Sequence, residues 1–279
     1  MRGGVVNLGH ACMNRRARKA TRMPDSDELW IDIGFRPGKT TADLRFRRFR
    51  GSEDFSVMSD ICVKSWEADH IDFAKTRDEY ENEFEHNTHK DPTRDLLFAE
   101  VNDSVVAFAE IGLTQMRQNE LLCFQYVHVL PQFRGDRLRE ALVRFNEKAL
   151  REIVRHRPGD ERKLFHSWAL SSPNEWQELL LSEGYEPAWH LFEMVRSDLD
   201  DVPDIELPEG VTVRLTAKGD YRKVWEASRE TFKGQPWCDD ERWNEAHYEK
   251  WLVSPNFTPD LWQIAWHGDE IVGLSLIHI

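Results

Sequence analysis

Cysteine is scarce and scattered. Cys12, Cys62, Cys123 and Cys238 are the four in the chain, and no two stand at a metal-ligand spacing. That sets aside a disulfide framework and a cysteine-held metal site, and leaves free thiols in a reducing, cytoplasmic setting. No apolar run approaches the roughly 20 residues that a membrane span needs, so no membrane partner is expected. Positive charge is short as well. Against 50 aspartates and glutamates there are 37 lysines and arginines, for a net charge of −13. So acidic a surface repels a phosphate backbone, which argues against nucleic acid as a partner. No Ser/His/Asp or Cys/His set for nucleophilic catalysis stands out.

What is present is enough apolar residue, 40% of 279, to build a packed core. Arg2, Arg15, Arg16, Arg18, Lys19 and Arg22 precede the first acid, and residues 1–40 show no periodicity. This stretch reads as a disordered or non-native leader. Leu44–Arg50 alternates like a strand. Ser52 to about His70 places Phe55, Met58, Ile61, Cys62 and Trp66 on one helical face, and a second helix is predicted over about Thr76–Phe84. Leu96–Val101 and Val105–Ile111 read as strands joined by a turn at Asn102-Asp103-Ser104. Further strands are predicted at Leu121–Leu130, Lys163–Leu170 and Glu186–Arg196, with helices at about Asp136–His156 and Asn174–Glu183.

The most telling stretch is Val127-His-Val-Leu-Pro-Gln-Phe-Arg-Gly-Asp-Arg-Leu-Arg-Glu-Ala-Leu142. An apolar strand ends at Pro131, a basic turn comes next at Arg134-Gly135, and an amphipathic helix begins at once. Free N–H groups and partial positive charge at such a helix start suit a phosphate or pyrophosphate. Leu138, Leu142, Phe145, Ala149 and Ile153 form its apolar stripe. Arg139, Arg144, Lys148, Arg151 and Arg155 fall mostly elsewhere, as a solvated face would.

This segment resembles the acyl-CoA-binding motif of the GNAT acetyltransferases, and the element order β-α-α-β-β-β-α-β-α-β is theirs. The resemblance implies an α/β, mixed-sheet GNAT fold, acetyl-CoA as acyl donor, and an amine of a small molecule or peptide as acceptor. It maps the family's Gln/Arg-x-x-Gly-x-Gly/Ala onto Gln132, Phe133, Arg134, Gly135, Asp136 and Arg137. Arginine fills the last position, and Arg139 stands at a further usual glycine. Val127, Val129, Leu138 and Asn174 complete the implied cofactor contacts. Glu110 and His128 are candidate general bases, with ordinary sheet roles as the alternative, and Tyr126 shares the His128 face. The family's thiolate-protonating tyrosine falls at Leu180, which has no proton to give. These departures keep open a second reading, a degenerate acyl-CoA-binding or scaffold domain.

After the acidic, proline-containing Ser197–Asp204 the pattern restarts. A shift of 166 residues brings Arg48 onto Arg214, Asp54 onto Asp220, Phe55 onto Tyr221, Asp103 onto Asp269 and Val106 onto Val272. This reads as a tandem duplication, of the type in mycothiol-synthase-like members of the family. The expected division is a leader (1–40), a GNAT domain (41–197), a linker (198–209) and the first half of a second GNAT domain (210–279), in intramolecular contact with the first. The counterpart of Gly135 falls past Ile279, so the second copy is expected to lack a cofactor turn. Trp66-Glu-Ala-Asp-His70 and Trp237-Cys-Asp-Asp-Glu-Arg-Trp243 lie where the family sets acceptor choice.

Overall fold

Short alternating runs make the strands here, and apolar stripes of helical period make the helices that cover them. The structure is a computed structural model that describes residues 8–16, 33, 35, 43–69, 71, 74–86, 90–116, 119–170, 174–193, 200, 204–235 and 243–276. Apart from Met1 and Met116–Gln118, the chain divides near Val195/Arg196 into two compact units.

The first unit runs β1 (Leu8–Arg16), β2 (Arg45–Arg47), α1 (Glu53–Ala68), α2 (Arg77–Glu85), α3 (Pro92–Asp95), β3 (Leu96–Val101), β4 (Ser104–Met116) and β5 (Glu120–Val129). A 3₁₀ turn at Pro131–Asp136 leads into α4 (Leu138–Arg155), then β6 (Arg162–Leu170), α5 (Glu175–Ser182) and β7 (Glu186–Glu193). The seven strands form one sheet in the order β2-β3-β4-β5-β6-β1-β7. Asn102 and Asp103 both adopt positive φ, 50° and 61°, and make the tight β3–β4 turn; short polar side chains tolerate that region best. Helix α2 opens on a capping box between Thr76 and Glu79. Helix α4 buries Leu138, Leu142, Phe145, Leu150 and Val154 against the sheet.

The parallel pair β5 and β6 decides the architecture. Their register runs from Glu120↔Arg162 to Phe124↔His166 and stops there. Beyond that point the strands part, leaving Tyr126–His128 facing Trp168–Leu170 across an opening.

The expected unstructured leader does not hold for Leu8–Arg16. This stretch is β1, antiparallel to β6 from His10↔Leu170 to Arg16↔Leu164 and to β7 from Leu8↔Glu193 to Asn14↔Glu186. Ala11, Cys12 and Met13 are fully buried. A strand covered on both faces carries no polar alternation, which is why its pattern is silent. Residues 17–32, 36–42 and part of the expected linker (198, 199 and 201–203) lie outside the described residues, as do 236–242 with Cys238.

The second unit contains β8 (Val211–Arg214), α6 (Tyr221–Phe232), α7 (Glu245–Leu252), β9 (Gln263–His267) and β10 (Glu270–Ser275), with an antiparallel sheet ordered β10-β9-β8. Shifted by 166 residues, β2 begins where β8 begins and β4 begins where β10 begins. Both triplets pair as consecutive neighbours.

Phe124 covers the backbone of Gly112 on β4, and a Cβ placed there would lie 2.1 Å from the Phe124 ring. Gly112→Ala should therefore cost about 1–3 kcal/mol through overpacking. Chemical denaturation checks this, and an unchanged midpoint would refute the close approach.

Candidate active site

The parted strands open a cavity of about 440 Å³. Its wall includes Trp66 and Asp69 at the end of α1, Tyr80 of α2, Glu110 of β4, Tyr126–His128 of β5, Arg139 of α4, Trp168 of β6 and Trp176 of α5. All three candidate catalytic residues, Glu110, His128 and Tyr126, thus meet in one place, together with Val127, Arg139 and Asn174.

Glu110 is buried and takes a bond from Lys90 Nζ at 2.5 Å. Lys90 also binds Glu83, which accepts from Lys75 at 2.5 Å. Burial works against charge on both lysines, yet Glu110 and Glu83 hold them above the usual lysine range. Burial also opposes charge on Glu83, but Lys75 and Lys90 hold it well below the usual carboxylate range. Tyr126 is pushed upward by burial and then by Glu110 and Glu83, so its phenol keeps its proton.

His128 is packed between Phe108, with ring centroids 4.7 Å apart, and Trp66, at 5.7 Å. Burial, followed by the charges of Arg139, Lys75 and Arg134, lowers its pKa to about 3. It is neutral at pH 7, and a weak base.

The turn before α4 departs from expectation at its arginines. Arg134 turns back from solvent: its guanidinium donates to Asp69 at 2.7 and 3.0 Å, to Ser65 O and Oγ, and to Val129 O. It ties the end of α1 to the turn. Arg137 adopts the left-handed conformation (φ 60°), where glycine has no Cβ penalty, and pairs with Glu140 in solvent. It makes no side-chain cap, so the first N–H groups of α4 carry no cap from that residue. Arg139 is not on a solvated face; it is buried inside the cavity.

Gln132 and Gly135 are exposed, Phe133 is half-buried, and Val129 and Leu138 are sealed in the core. The Asp136 side chain lies outside the described residues. Asn174 lines the cavity while its Oδ1 caps α5 by accepting from Gln177 N at 2.9 Å. Leu180 is fully buried.

Sequence reasoning did not single out Lys75, Tyr80, Trp168 or Trp176. Lys75 precedes α2, which carries Tyr80, while Trp168 lies on β6 and Trp176 on α5, and no local pattern joins them. Trp66 and Asp69 were signalled by their aromatic and acidic segment. Cys12 Sγ lies 3.1 Å from His166 Nδ1, with Asn14 Oδ1 at 3.0 Å from the same nitrogen. The thiol is fully buried and burial pushes it up to about 12, so this trio has no thiolate to offer. Among the described residues no group of three or more His, Cys, Asp or Glu is placed to hold a metal ion. No helix among them is long and apolar enough to cross a membrane.

A mixed sheet whose parallel strands part beside a helix start is the arrangement of the GNAT fold, and the chain has that fold. No family model matches it. Over 109 residues it is 30% identical to the mycothiol acetyltransferase of Geodermatophilus obscurus, covering 38% of this chain and 35% of that protein. The chain thus spans about a third of the length of that curated relative. Its fold is similar to a GNAT acetyltransferase from Sphaerobacter thermophilus, with a TM-score of 0.55 and 24% identity over 84% of this chain and 71% of that one.

Burial lowers His166 as well, to about 4. Unfolded histidine titrates near 6.5, so between that value and the folded ones the unfolded chain binds more protons. Stability that is complete above pH 6.5 should fall as the pH drops toward 4 and then 3. By NMR, neither the His128 nor the His166 imidazole should titrate between pH 8 and 5. Titration of either in that window would contradict its burial.

Proposed function

We propose that the first unit is an N-acetyltransferase that uses acetyl-CoA as donor and acts on an amine of a small molecule or peptide in the cytoplasm. The opening between β5 and β6, set beside the start of α4, is the observation that carries this reading. The residues present fit such a donor. A Cβ at Gly135 would meet nothing within 4 Å, so the turn leaves room at the helix start. The cavity behind it is walled mainly by apolar and aromatic groups, as a pocket for a pantetheine arm and an acceptor would be.

Acetyl-CoA, when bound, supplies an acyl carbon activated as a thioester. The chain's own part is to place and discharge protons around it. The first N–H groups of α4 and the Gly135 turn would hold the pyrophosphate, and backbone of Val127 would pair with the pantetheine amides. Glu110 lies where a carboxylate can take the proton of the incoming ammonium, directly or through water, as the C–N bond forms and the C–S bond breaks. Lys90 steadies that carboxylate. Tyr126, which keeps its phenolic proton, would return a proton to the departing sulfur, the role that Leu180 cannot fill. A second reading, acyl-CoA binding without transfer, is favoured by Leu180 in the core and by the Arg139 side chain within the cavity.

Calorimetric titration of acetyl-CoA into the full chain should show binding with a Kd on the order of micromolar, abolished by Gly135→Glu. Space at Gly135 makes that substitution a test of anion binding and not of folding. No binding by the folded wild-type chain would sink the proposal. Binding with no transfer to any of a panel of amines would favour the second reading.

A further inference from the structure

The charges around the cavity are matched except at one point. Glu110 and Glu83 alternate with Lys90 and Lys75. Asp69 faces two guanidinium groups, Arg134 and Arg139, and is already committed to the first through two short bonds. Arg139 Nη2 reaches the same carboxylate at 3.4 Å, long beside the 2.7–2.9 Å of a well-made charged bond. Arg139 is 7% exposed, and its Nε has no hydrogen-bond partner among the described residues. Its guanidinium lies 5.6 Å from the Trp176 ring. A buried cationic donor left unsatisfied is costly, and a ligand anion removes that cost.

Arg139 stands in the first turn of α4, but its side chain is buried in the cavity wall. Arg139 bears electrostatically on His128, another cavity-lining residue, whereas Gly135 and Arg137 at the turn are exposed. We propose that Arg139 is the subsite for a carboxylate carried by the amine acceptor, so that the acceptor is an amino acid or a compound built like one. Trp66, Tyr80, Tyr126 and Trp168 on the wall suit an apolar or aromatic body on the same molecule. Naming the anion as part of the acceptor rests on the acyl-transfer reading; the anion subsite itself does not.

The test uses two probes that differ by one carboxylate, L-phenylalanine and phenethylamine, titrated calorimetrically into the full chain. Phenylalanine should bind about ten-fold tighter or more, as a charged hydrogen bond implies. Arg139→Gln should erase that difference. Asp69→Asn, which frees the guanidinium from its present partner, should widen it, an effect that mere misfolding does not produce. Equal binding of the two probes, no phenylalanine binding, or indifference to Arg139→Gln overturns the subsite. A parallel acetyl-CoA titration separates the sources of the anion. If Arg139→Gln weakens acetyl-CoA and leaves phenylalanine alone, the guanidinium serves a cofactor phosphate and the acceptor assignment falls. If the wild-type chain binds phenylalanine but not acetyl-CoA, the acyl-transfer reading fails while the anion subsite stands.

Discussion

Two parallel strands that stop pairing halfway along their length leave backbone groups without a ladder, and a buried carbonyl without a partner is expensive. In this fold side chains take over. Ser167 Oγ donates to Gln125 O, Trp176 Nε1 donates to Trp168 O at 2.8 Å, and Arg134 Nε donates to Val129 O. The separation of β5 and β6 is thereby fixed by the chain's own groups. The cavity, the placing of α4 beside it and the gathering of Glu110, Tyr126 and His128 around it all depend on that separation. A pair that zipped to its end would bring Tyr126–His128 against Trp168–Leu170 and close the site.

Charge then holds the walls. Arg134 reaches from the turn to Ser65 and Asp69, so the end of α1 cannot drift from the start of α4. On the other side, Lys75, Glu83, Lys90 and Glu110 alternate in sign across segments distant in sequence. Buried ion pairs of this kind add little net stability, because desolvation offsets most of the attraction. Their consequence is positional: removing one member strands the next as an unpaired buried charge. Glu110 is therefore held in a set place by its contact with Lys90.

The long periodic elements were legible in the sequence. Helices α1 and α4 declared themselves by their apolar stripes, and Asn102-Asp103 by its turn chemistry. The strand–turn–helix from Val127 to Leu142 pointed to the fold. Strand β1 was not legible, since burial on both faces removes alternation and the basic residues beside it resemble a tail. Arg139 was misplaced for a related reason. It borders the apolar stripe of α4, as do Asn146 and Glu147, and all three are buried despite their polarity. Whether such an edge residue turns out to solvent or in to a cavity depends on what lies opposite, here Asp69 and Trp176, and neither is near it in sequence.

The second unit shows which parts of the pattern carry the topology. The starts of β8 and β10 match those of β2 and β4 at one constant offset, β9 starts one residue later than that offset gives, and the strand order matches as well. Trp251 stacks on Trp262 at 5.2 Å, and Tyr221 and Phe257 pack edge-on against the same ring. In the first unit one core cluster joins Phe55, Tyr80, Phe84, Phe98 and Phe108 to Met58, Ile61 and Leu96. Two different fillings, both rich in aromatic rings, satisfy one arrangement of strands, because alternation along each strand and the turn between paired strands fix the register. In the first unit it is the downstream strand–turn–helix, and not this shared β-α-α-β-β half, that creates the opening. The shared half supplies part of the cavity wall, with Trp66, Asp69, Tyr80 and Glu110, and the segment from β5 onward supplies the opening.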